Sequence, residues 1–202
     1  AGLHLHGETG VGKTTAAQTG LTLWGDPEEL MTNEQDTLNT RMNRGEVYHN
    51  LPLVMDELTN TPGRQLSVLT YQLTGGRQRG RMASGSNTER FRGDPWSLLS
   101  ITTANASIVE RISMVKAMPK AEAQRILECR VKAQTFSTAK ETHEYRNTML
   151  KTYGHAGVKY VQYIMNDIEG VKKLLTSVQE KIDIRANLKA ENRFWSTFVA
   201  AT

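Results

Sequence analysis

The chain has 202 residues and a mass of 22.6 kDa, with 38% hydrophobic and 23% charged residues, which suits one globular domain with room for a smaller appendage. No apolar run approaches the ~20 residues that cross a bilayer and no secretory leader is recognisable, so neither is expected; Cys129 stands alone, which rules out internal disulfides and cysteine-built zinc sites and points to a reducing, cytoplasmic compartment. The net charge of +4 is concentrated, because Arg64, Arg77, Arg79, Arg81, Arg90 and Arg92 are opposed only by Glu89 in one stretch, which is where an acidic partner is expected.

The opening AGLHLH alternates Leu3 and Leu5 with His4 and His6 and predicts a short strand. GETGVGKTT follows, from Gly7 to Thr15, and matches G-x-x-x-x-G-K-[ST]. Helical spacing then runs from Thr14 to Leu23 and stops near Trp24-Gly25-Asp26-Pro27. Strand, loop and helix in that order are the context of a phosphate-gripping P-loop. Gly7, Gly10 and Gly12 permit positive φ and a close approach of backbone to ligand. The residues from Gly7 through Glu8, Thr9, Gly10, Val11, Gly12, Lys13 and Thr14 to Thr15 are expected to cradle the phosphates. Their N–H groups form a nest backed by the positive end of the helix. On this reading Lys13 bridges the β- and γ-phosphates of a nucleoside triphosphate, and the Thr14 hydroxyl ligates Mg²⁺.

Leu30 to Thr32 suggests a short strand and 36–48 a helix. LPLVMDE (51–57) is a near-continuous apolar run, as in a buried parallel strand, and ends in Asp56 and Glu57. Beside a P-loop these acids divide the work: Asp56 holds Mg²⁺ directly or through water, and Glu57 orients and deprotonates the attacking water. Arg64 to Leu73 reads as a helix, and TGGRQRGRMASGSN as an exposed hairpin or loop. Arg77, Arg79 and Arg81 alternate, so in a hairpin they project to one face and can each contact phosphate, the expected partner being the backbone of DNA, single-stranded DNA first; the alternatives are a solvated arginine-rich loop or one arginine serving the nucleotide site. Phe91 and Trp96 are the nearby aromatics, which leaves base stacking secondary.

SLLSITTAN (97–105) predicts a further strand, with Asn105 at its tip either touching the γ-phosphate or lytic water or acting as a turn residue. ILECRV (126–131) is a last short strand. From Ser137 onward the pattern is helical, broken at Tyr153-Gly154 and Ala156-Gly157. Trp24 and Trp195 read as core, and the cluster of Tyr153, His155, Tyr160 and Tyr163 as structural. The alternation predicts an α/β three-layer sandwich with a parallel sheet over 1–134 and a helical cap over 135–202, and both ends look like points where a longer chain continues.

GETGVGKTT, LPLVMDEL, YQLTGGRQRGRMASGS, LLSITTAN and AEAQRILECRV, in that order and followed by YGHAGVKYV, resemble the motifs of a family of phage and mobile-element ATPases. That family is related to the superfamily 3 replicative helicases and often fused to primase modules. The resemblance spans about residues 2–165 and implies an AAA+-like P-loop NTPase core. Such a core has a five-stranded parallel sheet and works as a homo-oligomeric ring, commonly a hexamer, that moves along DNA using ATP. It implies Walker A at Gly7, Gly12, Lys13 and Thr14, Walker B at Asp56 and Glu57, and sensor 1 at Asn105. Arg125 is implied to reach a neighbour's γ-phosphate, with Arg111 and Arg130 as rivals. The expected function is ATP hydrolysis coupled to DNA translocation or unwinding. The alternatives are DNA packaging, protein remodelling, or a nucleotide-gated module that assembles on DNA; without cysteine ligands or a primase carboxylate cluster, priming chemistry is not expected here.

Overall fold

The computed structural model describes residues 2–32, 35–80, 82–89, 93–134 and 136–201. In chain order the elements are β1 (Gly2–His6), α1 (Lys13–Leu21), α2 (Pro27–Leu30), α3 (Leu38–Tyr48), β2 (Leu53–Met55), α4 (Gly63–Gly75), β3 (Ser100–Ala104), α5 (Ile108–Ser113), α6 (Lys120–Ala123), β4 (Ile126–Arg130), α7 (Ala139–Met149), α8 (His155–Asn166), α9 (Ile168–Arg185) and α10 (Arg193–Ala201). The four strands form one parallel sheet in the order β2-β3-β1-β4. Gly2 is level with both Ser100 and Ile126, and Leu53 with Ser100, so the carboxyl ends of all four strands lie along one edge. β1 is interior, and the chain order reverses around it. Ligands of open α/β sheets bind outside the carboxyl ends at such a switch point.

Apolar patterning builds the layers. Leu53 and Met55 face one side of β2 and Val54 the other, all fully buried, which is the period of two of a strand covered on both faces. On the first side Leu66, Leu69 and Leu73 form the stripe of α4 and meet Met42, Ala104, Ile108, Ile112 and Ile126. On the second side Ala17 and Leu21 of α1 pack on Val54, with Leu30, Met31 and Ile101 around them. The result is an α/β core with helices on both faces.

Several expectations are corrected. Four strands are named among the described residues where five were implied, because Leu30 to Thr32 contributes a single bridge from Thr32 to Met55. The apolar run 51–57 supplies a strand of three residues: Asp56 and Glu57 leave it, and Glu57 adopts φ 55°. Gly157 does not break a helix. It lies inside α8, where its N–H donates to the Leu23 carbonyl at 2.8 Å. Trp96 is the core tryptophan, 5% exposed, with its Nε1–H donating to the Leu73 carbonyl at 3.0 Å. Trp24 and Trp195 are half-buried: Trp24 meets Tyr160 edge-on, and Trp195 donates to the Ile126 carbonyl at 3.0 Å, joining α10 to β4.

The helical segment after β4 docks on the edges of the core. α7 opens with a capping box between Thr138 and Glu141 and lies against α1, its Tyr145 hydroxyl 2.8 Å from Thr19 Oγ1. Gly154 sets α8 off by donating to the Thr22 carbonyl at 2.7 Å. Asp167 closes α8 and caps α9 through the Gly170 N–H at 2.8 Å.

Candidate functional site

The loop from Gly7 to Gly12 leaves the end of β1 and enters α1. Gly12, at φ 92° and ψ 14°, is the residue before the helix, a left-handed position that favours glycine. At Gly7 a Cβ would strike the Val131 carbonyl, so the loop passes too close to the end of β4 for any side chain. This close approach is to the protein's own backbone, whereas the one expected from the glycine spacing is to a ligand.

Lys13, the first residue of α1, is 7% exposed, and each of its three N–H bonds is used. Nζ donates to the Gly7 carbonyl at 2.9 Å, the Glu8 carbonyl at 2.7 Å and Asn105 Oδ1 at 3.2 Å. The Lys13–Asn105 contact ties the tip of β3 to the glycine loop. Thr14 donates to Asp56 Oδ1 at 3.0 Å, so the hydroxyl of α1 and the carboxylate after β2 sit side by side. Asp56 Oδ1 also accepts from the Thr103 hydroxyl, and Thr103 Oγ1 accepts from the Glu57 N–H at 3.0 Å. Thr103 thus clamps both acids and supports the positive φ of Glu57, a conformation that costs a non-glycine residue free energy and clusters at functional sites.

Glu57, Asn105 and the loop residues Thr9 to Thr15 line one cavity of about 270 Å³, together with Phe136 and Thr142. Glu57 therefore faces the loop, and Asp56 is joined to it through the Thr14 hydroxyl. The donor set beside the cavity, one hydroxyl and one carboxylate, is hard oxygen throughout. That suits Mg²⁺, which binds through one or two carboxylates and completes its shell with water and phosphate; no group of three or more His, Cys, Asp or Glu with metal-holding geometry exists among the described residues.

Behind the site, His4 is fully buried on β1 and lies parallel to His6 with ring centroids 5.7 Å apart. Burial pushes its imidazole below the ordinary 6.5, outweighing the Ala106 carbonyl and the Glu128 charge. In the neutral ring Nε2–H donates to Ala106 at 3.1 Å and Nδ1 accepts from Thr102 at 2.9 Å. Glu128 accepts from Ser107 Oγ at 2.7 Å and from the Ile108 N–H at 2.7 Å, fixing the start of α5. These contacts hold the residues on either side of Asn105 to β1 and β4. Thr59 Oγ1, 2.9 Å from the Asn105 N–H, holds them to the turn after β2.

The arginines are dispersed. Arg125 donates to the Ala121 carbonyl at 2.6 Å and lies over the Tyr71 and Phe194 rings, 4.6 and 5.3 Å from their centroids. Arg111 donates to the Leu58 and Thr59 carbonyls, so it braces the turn after β2. Arg130 ends β4 exposed, beside a second cavity shared with Glu8, Val11 and Lys132. Arg77 and Arg79 follow the left-handed Gly76 that ends α4. They lie in irregular chain rather than a strand, and both are exposed while Gln78 and Gly80 are half-buried. Arg81 lies outside the described residues, as do Arg90 and Arg92; beyond Arg81 a single antiparallel bridge joins Met82 to Glu89.

Sequence reading missed Thr103, Thr59, Phe136 and Thr142. The only signal for Thr103 was its place two residues before Asn105, where register beside β2 brings it to Asp56.

A domain of unknown function (DUF927) matches residues 1–92. No curated protein matches the chain. Among solved structures, one described as "SCCmec type IV Cch - active helicase" superposes with a TM-score of 0.71 at 19% identity, over 99% of this chain and 37% of that one. The chain thus spans little more than a third of that protein, and at such identity the likeness is one of fold.

Proposed function

We propose that the chain is the nucleotide-hydrolysing motor module of a DNA translocase or helicase carried by a mobile element or phage. The observation that carries this reading is the convergence, on one cavity at the carboxyl ends of β1, β2 and β3, of the glycine loop, Lys13, Thr14, Glu57 and Asn105, with Asp56 bonded to Thr14. Lys13 exchanges its bonds to the Gly7 and Glu8 carbonyls for charge-assisted bonds to the β- and γ-phosphates of ATP. N–H groups of residues 7–15 hold the phosphate chain. Thr14 and Asp56 would hold Mg²⁺, which neutralises phosphate charge when bound. Glu57 takes the proton of the attacking water, and Asn105, already bonded to Lys13, orients the γ-phosphate. Phosphoryl transfer asks for this positioning and charge neutralisation more than for covalent chemistry.

The DNA half rests on the arginine-rich stretch, on the exposure of Arg77 and Arg79, and on the fold shared with a protein called a helicase. In this reading Arg77, Arg79 and Arg81 contact backbone phosphates in the channel of a homo-oligomeric ring, a hexamer. Arg125 is the residue offered to a neighbouring copy, trading the Ala121 carbonyl for a phosphate. The division into an ATPase core at 1–134 and a helical cap at 135–202 belongs to the same proposal, as does a cytoplasmic setting.

Steady-state ATP hydrolysis of the intact parent protein, with and without single-stranded DNA, tests the reading. Turnover rises severalfold with DNA; Arg77→Ala/Arg79→Ala/Arg81→Ala abolishes the rise, and Lys13→Ala abolishes turnover under both conditions. Equal turnover with and without DNA rejects the motor, and hydrolysis by Lys13→Ala rejects the site.

A further inference from the structure

The cavity beside the glycine loop has a chemically uneven lining. Glu57, Asn105 and Lys13 make part of its lining polar, whereas Phe136, from the segment that leads into α7, and Thr142, on α7 itself, make another part. We propose that Phe136 is the platform on which the nucleobase stacks, and that the base is held there without hydrogen-bond readout, so the site accepts purine and pyrimidine nucleoside triphosphates alike. The inference rests on the nucleotide reading above and adds the substrate range.

Placement is the first argument. Phe136 is half-buried, and its ring is braced by Tyr145, with centroids 5.1 Å apart and planes inclined by 42°. Tyr145 is fixed in turn to Thr19, whose own hydroxyl donates to the Thr15 carbonyl at 2.8 Å. The aromatic face is therefore held at a set distance from the last residue of the phosphate loop, through the first turns of α1. With the triphosphate running along the loop and its γ end at Glu57 and Asn105, the far end of the nucleotide reaches the Phe136 wall.

Hydrogen-bonding capacity is the second. The Thr142 hydroxyl spends its proton on the Thr138 carbonyl at 3.2 Å. Thr138 Oγ1 accepts from the Glu141 N–H at 3.2 Å, and the Glu141 carboxylate accepts from the Ser137 and Thr138 N–H groups. The polar side chains described at this end are thus engaged in capping α7. The Thr138 hydroxyl proton is the donor left over, and a rotating hydroxyl that both donates and accepts meets the edge of any base. Every base has a π face, so stacking tolerates all of them, whereas strong rejection of a wrong base needs hydrogen bonds left unmade.

Calorimetric titration tests this with Mg²⁺ complexes of ATP, GTP, CTP and inorganic tripolyphosphate against wild type, Phe136→Ala, Phe136→Trp and Lys13→Ala. In the wild type the three nucleotides bind within about tenfold of one another. Phe136→Ala weakens all three by roughly 5- to 100-fold and leaves tripolyphosphate affinity in place, the loss expected for one stacked base. Phe136→Trp retains nucleotide affinity. If Phe136→Ala has no thermal unfolding transition, Phe136→Trp carries the test: relative to wild type, its added indole emission changes with Mg-ATP and not with Mg-tripolyphosphate. An unchanged ratio of ATP to tripolyphosphate affinity in Phe136→Ala, an indole deaf to ATP, or a preference above about a hundredfold for one base overturns the inference and leaves the nucleotide site standing. Lys13→Ala binding both ATP and tripolyphosphate like wild type overturns the nucleotide reading itself.

Discussion

Glu122 shows how a single buried charge is tolerated in this protein. Its side chain is fully buried, yet Oε1 accepts from Lys116 Nζ at 2.7 Å and from Ser67 Oγ at 2.6 Å, while Oε2 makes no hydrogen bond. Burial by itself pushes the carboxyl up; the Lys116 ammonium and the Ser67 hydroxyl outweigh it and hold the group below its ordinary 4.5. Because the folded value lies below the unfolded one, the stabilisation is complete above about pH 4.5 and drains away as pH falls through the lower folded value. Glu122→Gln is therefore expected to cost about 1–3 kcal/mol at pH 7. The deficit should shrink as pH drops below 4, as read from urea midpoints across the range. A deficit of the same size at pH 7 and pH 3 would contradict the role given to the charge. None of this was legible beforehand, since AEAQ in a short helix looks like surface until α4 supplies Ser67.

At the scale of elements, glycines separate two kinds of helix contact. Gly157 of α8 lies so near the turn after α1 that a Cβ would collide with the Leu23 carbonyl and sit 2.8 Å from the Trp24 ring. Gly20, on α1, has nothing within 4 Å of the same position. Gly157→Ala is expected to destabilise by about 1–3 kcal/mol through overpacking. Gly20→Ala should stabilise by about 0.5–1 kcal/mol, because alanine removes backbone freedom from the unfolded chain. Chemical denaturation of the two variants checks both signs. The Ala156-Gly157 pair reads as a helix break because glycine is a poor helix former. What reverses that reading is a contact with a residue more than 130 positions earlier, whose carbonyl needs the Gly157 N–H.

For the whole molecule, the uneven distribution of charge matters more than its total. The arginine stretch leaves the rest of the chain near neutral, so DNA affinity should depend on that stretch and on salt. If Arg77, Arg79 and Arg81 each neutralise one phosphate of a single strand, log K against log salt gains a slope of about −2 per engaged subunit. Fluorescence anisotropy over a salt series should show the slope flattening by that amount in Arg77→Ala/Arg79→Ala/Arg81→Ala; an unchanged slope would assign the contacts to other residues.

By itself the sequence determined the local parts. The glycine loop with Lys13 and Thr14, the acids after β2 and the stripe of α4 are legible because each is written in neighbours closer than about ten residues, through spacing and backbone sterics. Tertiary structure alone decided what meets what. The strand order brings Asn105 to Lys13 across 92 residues, Thr103 joins Asp56 to the Glu57 backbone, and Tyr145 of α7 braces Phe136 at the cavity. It also buried Trp96, which sits in a polar, loop-like stretch, and left Trp24 and Trp195 half-exposed. The physical reason is common to all of these: pairing of distant strands and docking of helices obey burial and hydrogen-bond satisfaction across the whole fold, and no local window contains the partner.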